Sequence, residues 1–249
     1  MRIWPHEGFH IAATNRGNIV RKLGLIGGLS WVSTRTYYER INTYIRRHHD
    51  PRATAPMTIE SLDLSRIHQA DGTYDWDLAT ELVGDAARRL SDAGAELLVI
   101  GANVLHRIYP EVEGMVDTPM LHIAGCVADR MAADKVQRAA LIGTRSVMTE
   151  SYFRRRLVAR DIDLLPPRMP DVDTLEHIIF EELMVGKATR DAERALRSMF
   201  TDFGKEGAQA VVLANTELAQ VVDVDANILP IYDCTAIHAE SAAKWMIGN

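Results

Sequence analysis

The sequence predicts an α/β protein of two pseudosymmetric lobes, each a doubly wound parallel sheet, with an active-site cleft between them. Two pairs of similar segments predict that the two lobes are related by an internal duplication. LIGG at residues 25–28 returns as LIGT at 141–144, and GAELLVIGAN at 94–103 returns as GAQAVVLANT at 207–216. The spacing within each half also agrees, at 67 residues between positions 27 and 94 and 64 between positions 143 and 207. Alternating strands and helices then imply parallel sheets with right-handed crossovers.

Each half begins with a strand and a helix. The LIG segments are short apolar runs that end in glycine, which is typical of buried parallel strands. Ser30 and Ser146 follow them, and we predict that each caps the amino end of the next helix.

Each half continues with an amphipathic helix that ends at a glycine and leads into a second apolar strand. The apolar residues at helical spacing are Leu78, Leu82, Val83, Ala86 and Leu90 before Gly94, and Ala192, Leu196, Met199, Phe200 and Phe203 before Gly207. A last strand and helix, from Tyr232 onward, are expected to return to the first lobe. The predicted divisions are an amino-terminal extension at 1–21, a first lobe at 22–122 plus 232–249, and a second lobe at 123–231.

Composition excludes several classes of protein. With 249 residues, 47% of them hydrophobic, the chain can bury a sizeable core. A net charge of −6 argues against a nucleic-acid partner, and no apolar run is long enough to span a membrane, so we expect a cytoplasmic protein. Cys126 and Cys234 are too few for a disulfide scaffold and are expected to be buried, reduced thiols.

Ligands of such sheets bind beyond the carboxyl ends of the strands. Here those ends lead into four loops, at residues 27–30, 101–106, 143–146 and 214–217. We expect all four to converge on one cleft.

The segments around these loops resemble the aspartate/glutamate racemase superfamily from Lys22 to the end of the chain. They are LGLIGGLSWVSTRTYYERIN at 23–42, LLVIGANVLH at 97–106, LIGTRSVM at 141–148, IIFEEL at 178–183 and ANTEL at 214–218. The resemblance implies cofactor-independent chemistry at the α-carbon of a small carboxylic or amino acid, with the active site between the lobes. It also implies a homodimer.

The resemblance is broken at the two positions that carry the family's chemistry. Family members place one cysteine in each lobe, so that a thiolate removes the α-proton from one face while a thiol delivers a proton to the other. Those positions hold Gly101 and Asn215 here, and neither Cys126 nor Cys234 lies in the four loops. The family's substrate-binding lysine before IIFEEL also has no equivalent, because Asp173 or Thr174 stands there. Two-thiol racemisation is therefore not expected.

The polar residues left in the loops are the candidate site. Ser30, Gly101, Asn103, Thr144 and Thr216 are predicted to bind substrate, although Ser30 and Thr144 could instead only stabilise turns.

Three residues are predicted to be catalytic. His106 could exchange protons near neutral pH, or it could be a structural hydrogen-bond partner beneath the site. Asn215 could donate a hydrogen bond to developing negative charge, and Glu217 is the retained carboxylate nearest the vacant position. No metal site is expected, because the histidines lack ligand spacing, and no cofactor is expected, because GLIGG is not a full dinucleotide fingerprint.

Three functions remain open. The first is a cofactor-independent isomerase or lyase that acts on a small carboxylate-bearing metabolite without thiols. The second is a non-catalytic ligand-binding protein, and the third is an aspartate or glutamate racemase with residual activity.

Overall fold

The computed structural model describes residues 20–69, 73–224 and 227–248, and within them the strands form two four-stranded parallel sheets. The strands of the first sheet are β1 (Leu23–Gly27), β2 (Met57–Ser61), β3 (Leu97–Ile100) and β4 (Met120–Leu121). Those of the second are β5 (Arg138–Gly143), β6 (Asp163–Leu164), β7 (Ala210–Ala214) and β8 (Ile231–Asp233).

The two sheets have the same topology. Their strand orders are β2-β1-β3-β4 and β6-β5-β7-β8, and every pairing is parallel. The chain order reverses between β1 and β3, and again between β5 and β7, which places the ligand crevice at the ends of these strands. The predicted α/β fold with two similar lobes is confirmed.

Helices cover both faces of each sheet. They are α1 (Trp31–His48), α2 (Trp76–Asp92), α3 (Tyr109–Glu113), α4 (Ile123–Ala133), α5 (Arg145–Thr149), α6 (Ser151–Val158), α7 (Met169–His177), α8 (Arg190–Lys205) and α9 (Cys234–Ile247). Both faces of the central strands are apolar, so each face needs a layer of helices to bury it. Leu97 and Val99 of β3 pack with α1 and α9, while Leu98 and Ile100 pack with α2 on the other face.

The two long amphipathic helices end as predicted. Gly94 follows α2 with a φ of 81°, and Gly207 follows α8 with a φ of 88°, a backbone conformation that favours glycine. Each glycine reverses the chain so that it enters β3 or β7 directly.

The two predicted serine caps have different outcomes. Ser30 is the cap of α1, since its Oγ accepts a hydrogen bond from the Ser33 N–H at 3.2 Å. The prediction for Ser146 is wrong, because Thr144 occupies the cap position and Ser146 lies inside α5. The Arg145 N–H donates instead to the Glu176 carboxylate at 2.7 Å, so a more distant acidic side chain satisfies this helix end.

The end of the chain is shared between the lobes. Strand β8 pairs with β7 in the second sheet rather than with the first, whereas α9 packs against α1 and α4. Nineteen residues of the predicted extension lie outside the described residues. In the part of the chain that is described, no helix is both long and apolar enough to cross a membrane.

Candidate functional site

A cleft opens where the carboxyl ends of the two sheets face each other. All four predicted loops contribute to it, together with side chains from the segments that follow β2 and α7, and its cavity volume is about 50 Å³. Its lining includes Leu29, Ser30, Ser33, Leu64, Tyr74, Gly101, Ala102, Asn103, Val104, Thr144, Ile179, Phe180, Met184, Ala214, Asn215, Thr216 and Glu217.

Gly101 and Asn215 line this cleft together, one from each lobe. The Gly101 N–H donates to the Ile26 carbonyl at 2.8 Å, and Asn215 Oδ1 accepts from the Leu218 N–H at 3.1 Å. Asn215 Oδ1 therefore satisfies a backbone N–H of the short 3-10 turn Glu217–Gln220, and its amide N–H₂ makes no hydrogen bond among the described residues. Neither cysteine lines the cleft, since Cys234 is buried at the start of α9 and Cys126 is partly buried on α4.

A hydrogen bond joins the lobes across the cleft. Ser30 Oγ donates to Glu217 Oε1 at 2.5 Å, and Glu217 is only 5% exposed. The same Ser30 oxygen accepts from Ser33, so the α1 cap orients the hydroxyl toward the carboxylate. Glu217 Oε2 makes no hydrogen bond within the described ranges and is left for a ligand.

Beneath this pair lies a chain of hydroxyl groups that sequence reasoning missed in part. Thr216 Oγ1 lies 2.7 Å from Thr235 Oγ1 and donates to Ser33 Oγ at 3.2 Å, and Ser33 donates to the Gly101 carbonyl at 2.7 Å. The sequence does indicate a role for Ser33, because it is a polar residue on the face of α1 where Tyr37 and Ile41 are apolar. Thr216 therefore links the two lobes through Ser33.

Two predicted binding residues hold polar atoms without partners. Asn103 Oδ1 and Thr144 Oγ1 are buried and have no hydrogen-bond partner in the described structure, and both residues line the cleft. Unpaired buried polar atoms cost about 1–3 kcal/mol each, so their position here favours partners supplied by a ligand.

His106 does not reach the cleft. Its ring is 1% exposed, its Nε2 lies 3.4 Å from the Ile100 carbonyl, and it packs 4.6 Å from the ring of His122 and 5.6 Å from that of His238. Burial, with the neighbouring histidines, holds the pKa of His106 well below its usual range. This location fits the structural alternative, in which His106 is a hydrogen-bond partner beneath the site.

Tyr74 and Phe180, which line the cleft, belong to an aromatic stack. The ring of His68 lies parallel to that of Phe180 at 4.8 Å and 4.8 Å from that of Tyr74, which stacks on Trp76 at 4.9 Å. Phe180 belongs to the second lobe and the others to the first, so the stack spans the cleft. Its wall is largely apolar at this point.

Glu217 is the one acidic side chain among the described residues that line the cleft. None of the described lining residues is a lysine, arginine or histidine. Burial, with the carboxylates of Glu176 and Glu217, raises the pKa of Tyr74 well above its usual range, so this phenol stays protonated near neutral pH. Tyr74 can therefore donate a hydrogen bond to a ligand but cannot act as a base.

The described residues contain no group of three or more His, Cys, Asp or Glu side chains placed to hold a metal ion. The cleft instead offers hydroxyl, amide and carboxyl groups, which suit a small organic ligand.

Known proteins share this architecture. A candidate Asp/Glu racemase from Yersinia pestis is 32% identical, with a TM-score of 0.84 over 91% of this chain and 99% of its own. The broad specificity amino-acid racemase RacX of Bacillus subtilis is 20% identical over 89% of this chain and 96% of its own. A double mutant of arylmalonate decarboxylase, in which a glycine is replaced by cysteine and a cysteine by serine, is 14% identical over 92% of this chain and 94% of its own; its TM-score of 0.55 shows the fold alone.

The family model described as Asp/Glu/Hydantoin racemase matches residues 26–242, which contain all four cleft loops, strands β2 to β8 and the end of β1. With the duplicated sheets and the shared cleft, this match identifies the chain as a member of the Asp/Glu/Hydantoin racemase family.

Proposed function

We propose that this protein is a cofactor-independent enzyme that moves a proton at the carbon next to the carboxylate of a small substrate, with Glu217 as its base. The reaction is an isomerisation or a lyase step that proceeds without thiols. One observation carries the proposal: a buried carboxylate is held by a serine hydroxyl of the other lobe at 2.5 Å, and the described residues that line the cleft include no cysteine or histidine.

The two oxygens of Glu217 have different tasks in this proposal. Oε1 accepts from Ser30, which fixes the plane of the carboxylate, and Oε2 takes the proton from the substrate carbon. Ser30 is thus a positioning residue, itself fixed by its bond with Ser33. A positioned carboxylate base of this kind contributes about 100- to 10,000-fold in rate.

Removal of that proton leaves negative charge on the substrate carboxylate, as an enediolate. Asn215 Nδ2 is free to donate to it because Oδ1 is engaged with Leu218. Thr144 Oγ1, which is buried without a partner, can donate as well. Neutral donors already in place stabilise such charge without reorganisation during the reaction.

In the proposed chemistry, an enzyme side chain transfers protons on only one face of the substrate carbon. A family-type racemase needs a second acid on the opposite face of the carbon, but Gly101 provides no side chain there. We therefore expect the α-hydrogen to exchange with solvent much faster than the substrate inverts.

The lining also constrains the substrate. Asn103 Oδ1 is an unpaired acceptor and requires a donor such as an amine or hydroxyl on the substrate. Among the described residues that line the cleft there is no cation to balance a second carboxylate, and the wall near Phe180 is apolar. A monocarboxylate with an amino or hydroxyl group and an apolar side chain fits better than aspartate or glutamate, which argues against residual racemisation of those two.

The test is incubation in D₂O with a panel of 2-amino and 2-hydroxy monocarboxylates, with aspartate and glutamate included. Mass spectrometry reports α-deuterium, and chiral chromatography reports inversion. Deuterium uptake with retained configuration supports the proposal. A ligand-dependent rise in melting temperature without exchange or product would support the ligand-binding alternative instead.

Assembly and location are proposed with the activity. Trp31 is 69% exposed and Tyr38 is 46% exposed, two turns apart on the outer face of α1, which supports a homodimer that buries this face. The cytoplasmic location stays a prediction.

A further inference from the structure

A second pocket lies between the lobes and shares no lining residue with the cleft. On the first lobe it is lined by His106 and Arg107 of the 3-10 turn Val104–Ile108 and by His122 at the start of α4. On the second lobe it is lined by Arg155 and Arg156 of α6. Its cavity volume is about 290 Å³, which exceeds that of the cleft.

The pocket is strongly positive. Three of its lining residues are arginines, and none is an aspartate or glutamate. Arg107 is paired with Glu150 at 2.9 Å, whereas Arg155 and Arg156 have no ion-pair partner within the described ranges. Both are exposed, so they can turn toward a ligand that enters from solvent.

The histidines add fixed polar groups at the base of the pocket. His122 Nδ1 accepts the Ala124 N–H at 3.2 Å, so in the neutral ring the proton lies on Nε2 and can be donated. His106 Nδ1 is buried and has no hydrogen-bond partner in the described part of the chain. Burial, with the nearby Arg156 guanidinium, lowers the pKa of His122 to about 3, so its ring is neutral near pH 7.

We propose that this pocket is a binding site for a dianionic phosphate group, held between Arg155 and Arg156 of the second lobe and His122 and Arg107 of the first. Arginine matches the oxygens of phosphate with paired N–H donors, and the two unpaired guanidinium groups provide two positive charges. A phosphate bound here contacts both lobes and fixes their separation. The pocket has room beyond one phosphate, so the ligand is a phosphomonoester of a small metabolite rather than inorganic phosphate alone.

The experiment is isothermal titration of the full chain with inorganic phosphate, glycerol phosphate and acetate, each at the same ionic strength. We expect saturable binding of both phosphates, with glycerol phosphate the tighter, and none of acetate. Equal affinity for the two phosphates would overturn the ester, and absence of saturable phosphate binding would overturn the site.

Variants test the assignment to these residues. Arg155→Gln with Arg156→Gln should weaken phosphate binding at least tenfold. The control is Arg160→Gln, which removes a positive charge just beyond α6, where Arg160 is paired with Asp129 at 2.7 Å outside the pocket. It should change affinity less than twofold. An equal loss in the control would show general attraction to a basic surface and refute the site, and circular dichroism of each variant confirms that it is folded.

Discussion

Replacement of Ser30 by alanine tests the contact that joins the two lobes. The change removes the cap of α1, which is worth about 1 kcal/mol, and leaves Glu217 Oε1 buried without a partner at about 1–3 kcal/mol more. The free energy of unfolding should fall by about 2–4 kcal/mol. At about 2–4 °C per kcal/mol for a chain of this size, a loss near 3 kcal/mol lowers the melting temperature by about 6–12 °C.

The chain offers a closely matched control in Thr189. Thr189 caps α8 through the Ala192 N–H at 3.0 Å and donates to Glu182 Oε2 at 2.6 Å, so its side chain makes the same two bonds. The side chain of Glu182 is 20% exposed and water can replace the lost donor, so Thr189→Ala should lower stability by only about 1–2 kcal/mol. Differential scanning calorimetry measures both variants. If Ser30→Ala is no more destabilising than Thr189→Ala, the buried pair does not stabilise the interface between the lobes.

Three further outcomes are expected. Gly101→Cys combined with Asn215→Cys should introduce inversion of substrate enantiomers, seen by chiral chromatography; an unchanged rate of inversion would count against the idea that these positions face opposite sides of the substrate carbon. The free energy of unfolding should fall by about 1–3 kcal/mol, because a Cβ at 101 would lie 3.2 Å from the Ile26 carbonyl oxygen. Burial lowers the pKa of His122 to about 3 and that of His238 to about 4. The unfolded chain therefore takes up protons first as the pH falls below about 6.5, and urea denaturation should show stability falling by about 1.4 kcal/mol per pH unit for each histidine between pH 6 and 5. His122→Asn, which can keep the α4 cap, should make stability depend less steeply on pH. Equal stability of the wild type at pH 5 and pH 7 would refute the role of the buried histidines. Trp31→Ser should shift the molar mass found by light scattering from dimer to monomer; a wild-type monomer would contradict the proposed assembly.

The two-lobed fold could be predicted because the duplication is visible in short segments of the sequence. The repeated LIG and Gly-Ala segments each encode a strand end, and strand ends of parallel sheets meet at one edge. The prediction that Gly101 and Asn215 belong to one cleft followed from this, and both line it.

Contacts between distant segments could not be predicted in the same way. Ser30 was correctly predicted as a cap, but its partner Glu217 lies 187 residues away and no local pattern links them. The prediction that Ser146 caps a helix is wrong because Glu176, on a different helix, accepts the backbone N–H that a cap side chain would accept. The position of His106 likewise depends on His122 and His238, which only tertiary packing brings to its ring.

The measurement that tests the central claim most directly compares α-deuterium uptake in D₂O by the wild type, Glu217→Gln and Glu182→Gln, with a substrate from the panel. Glutamine keeps an acceptor for Ser30 but is not a base, so Glu217→Gln should retain its fold and lose about 100- to 10,000-fold in exchange rate. Glu182→Gln, outside the cleft, should exchange as the wild type does. Wild-type exchange in Glu217→Gln would contradict the assignment of the base.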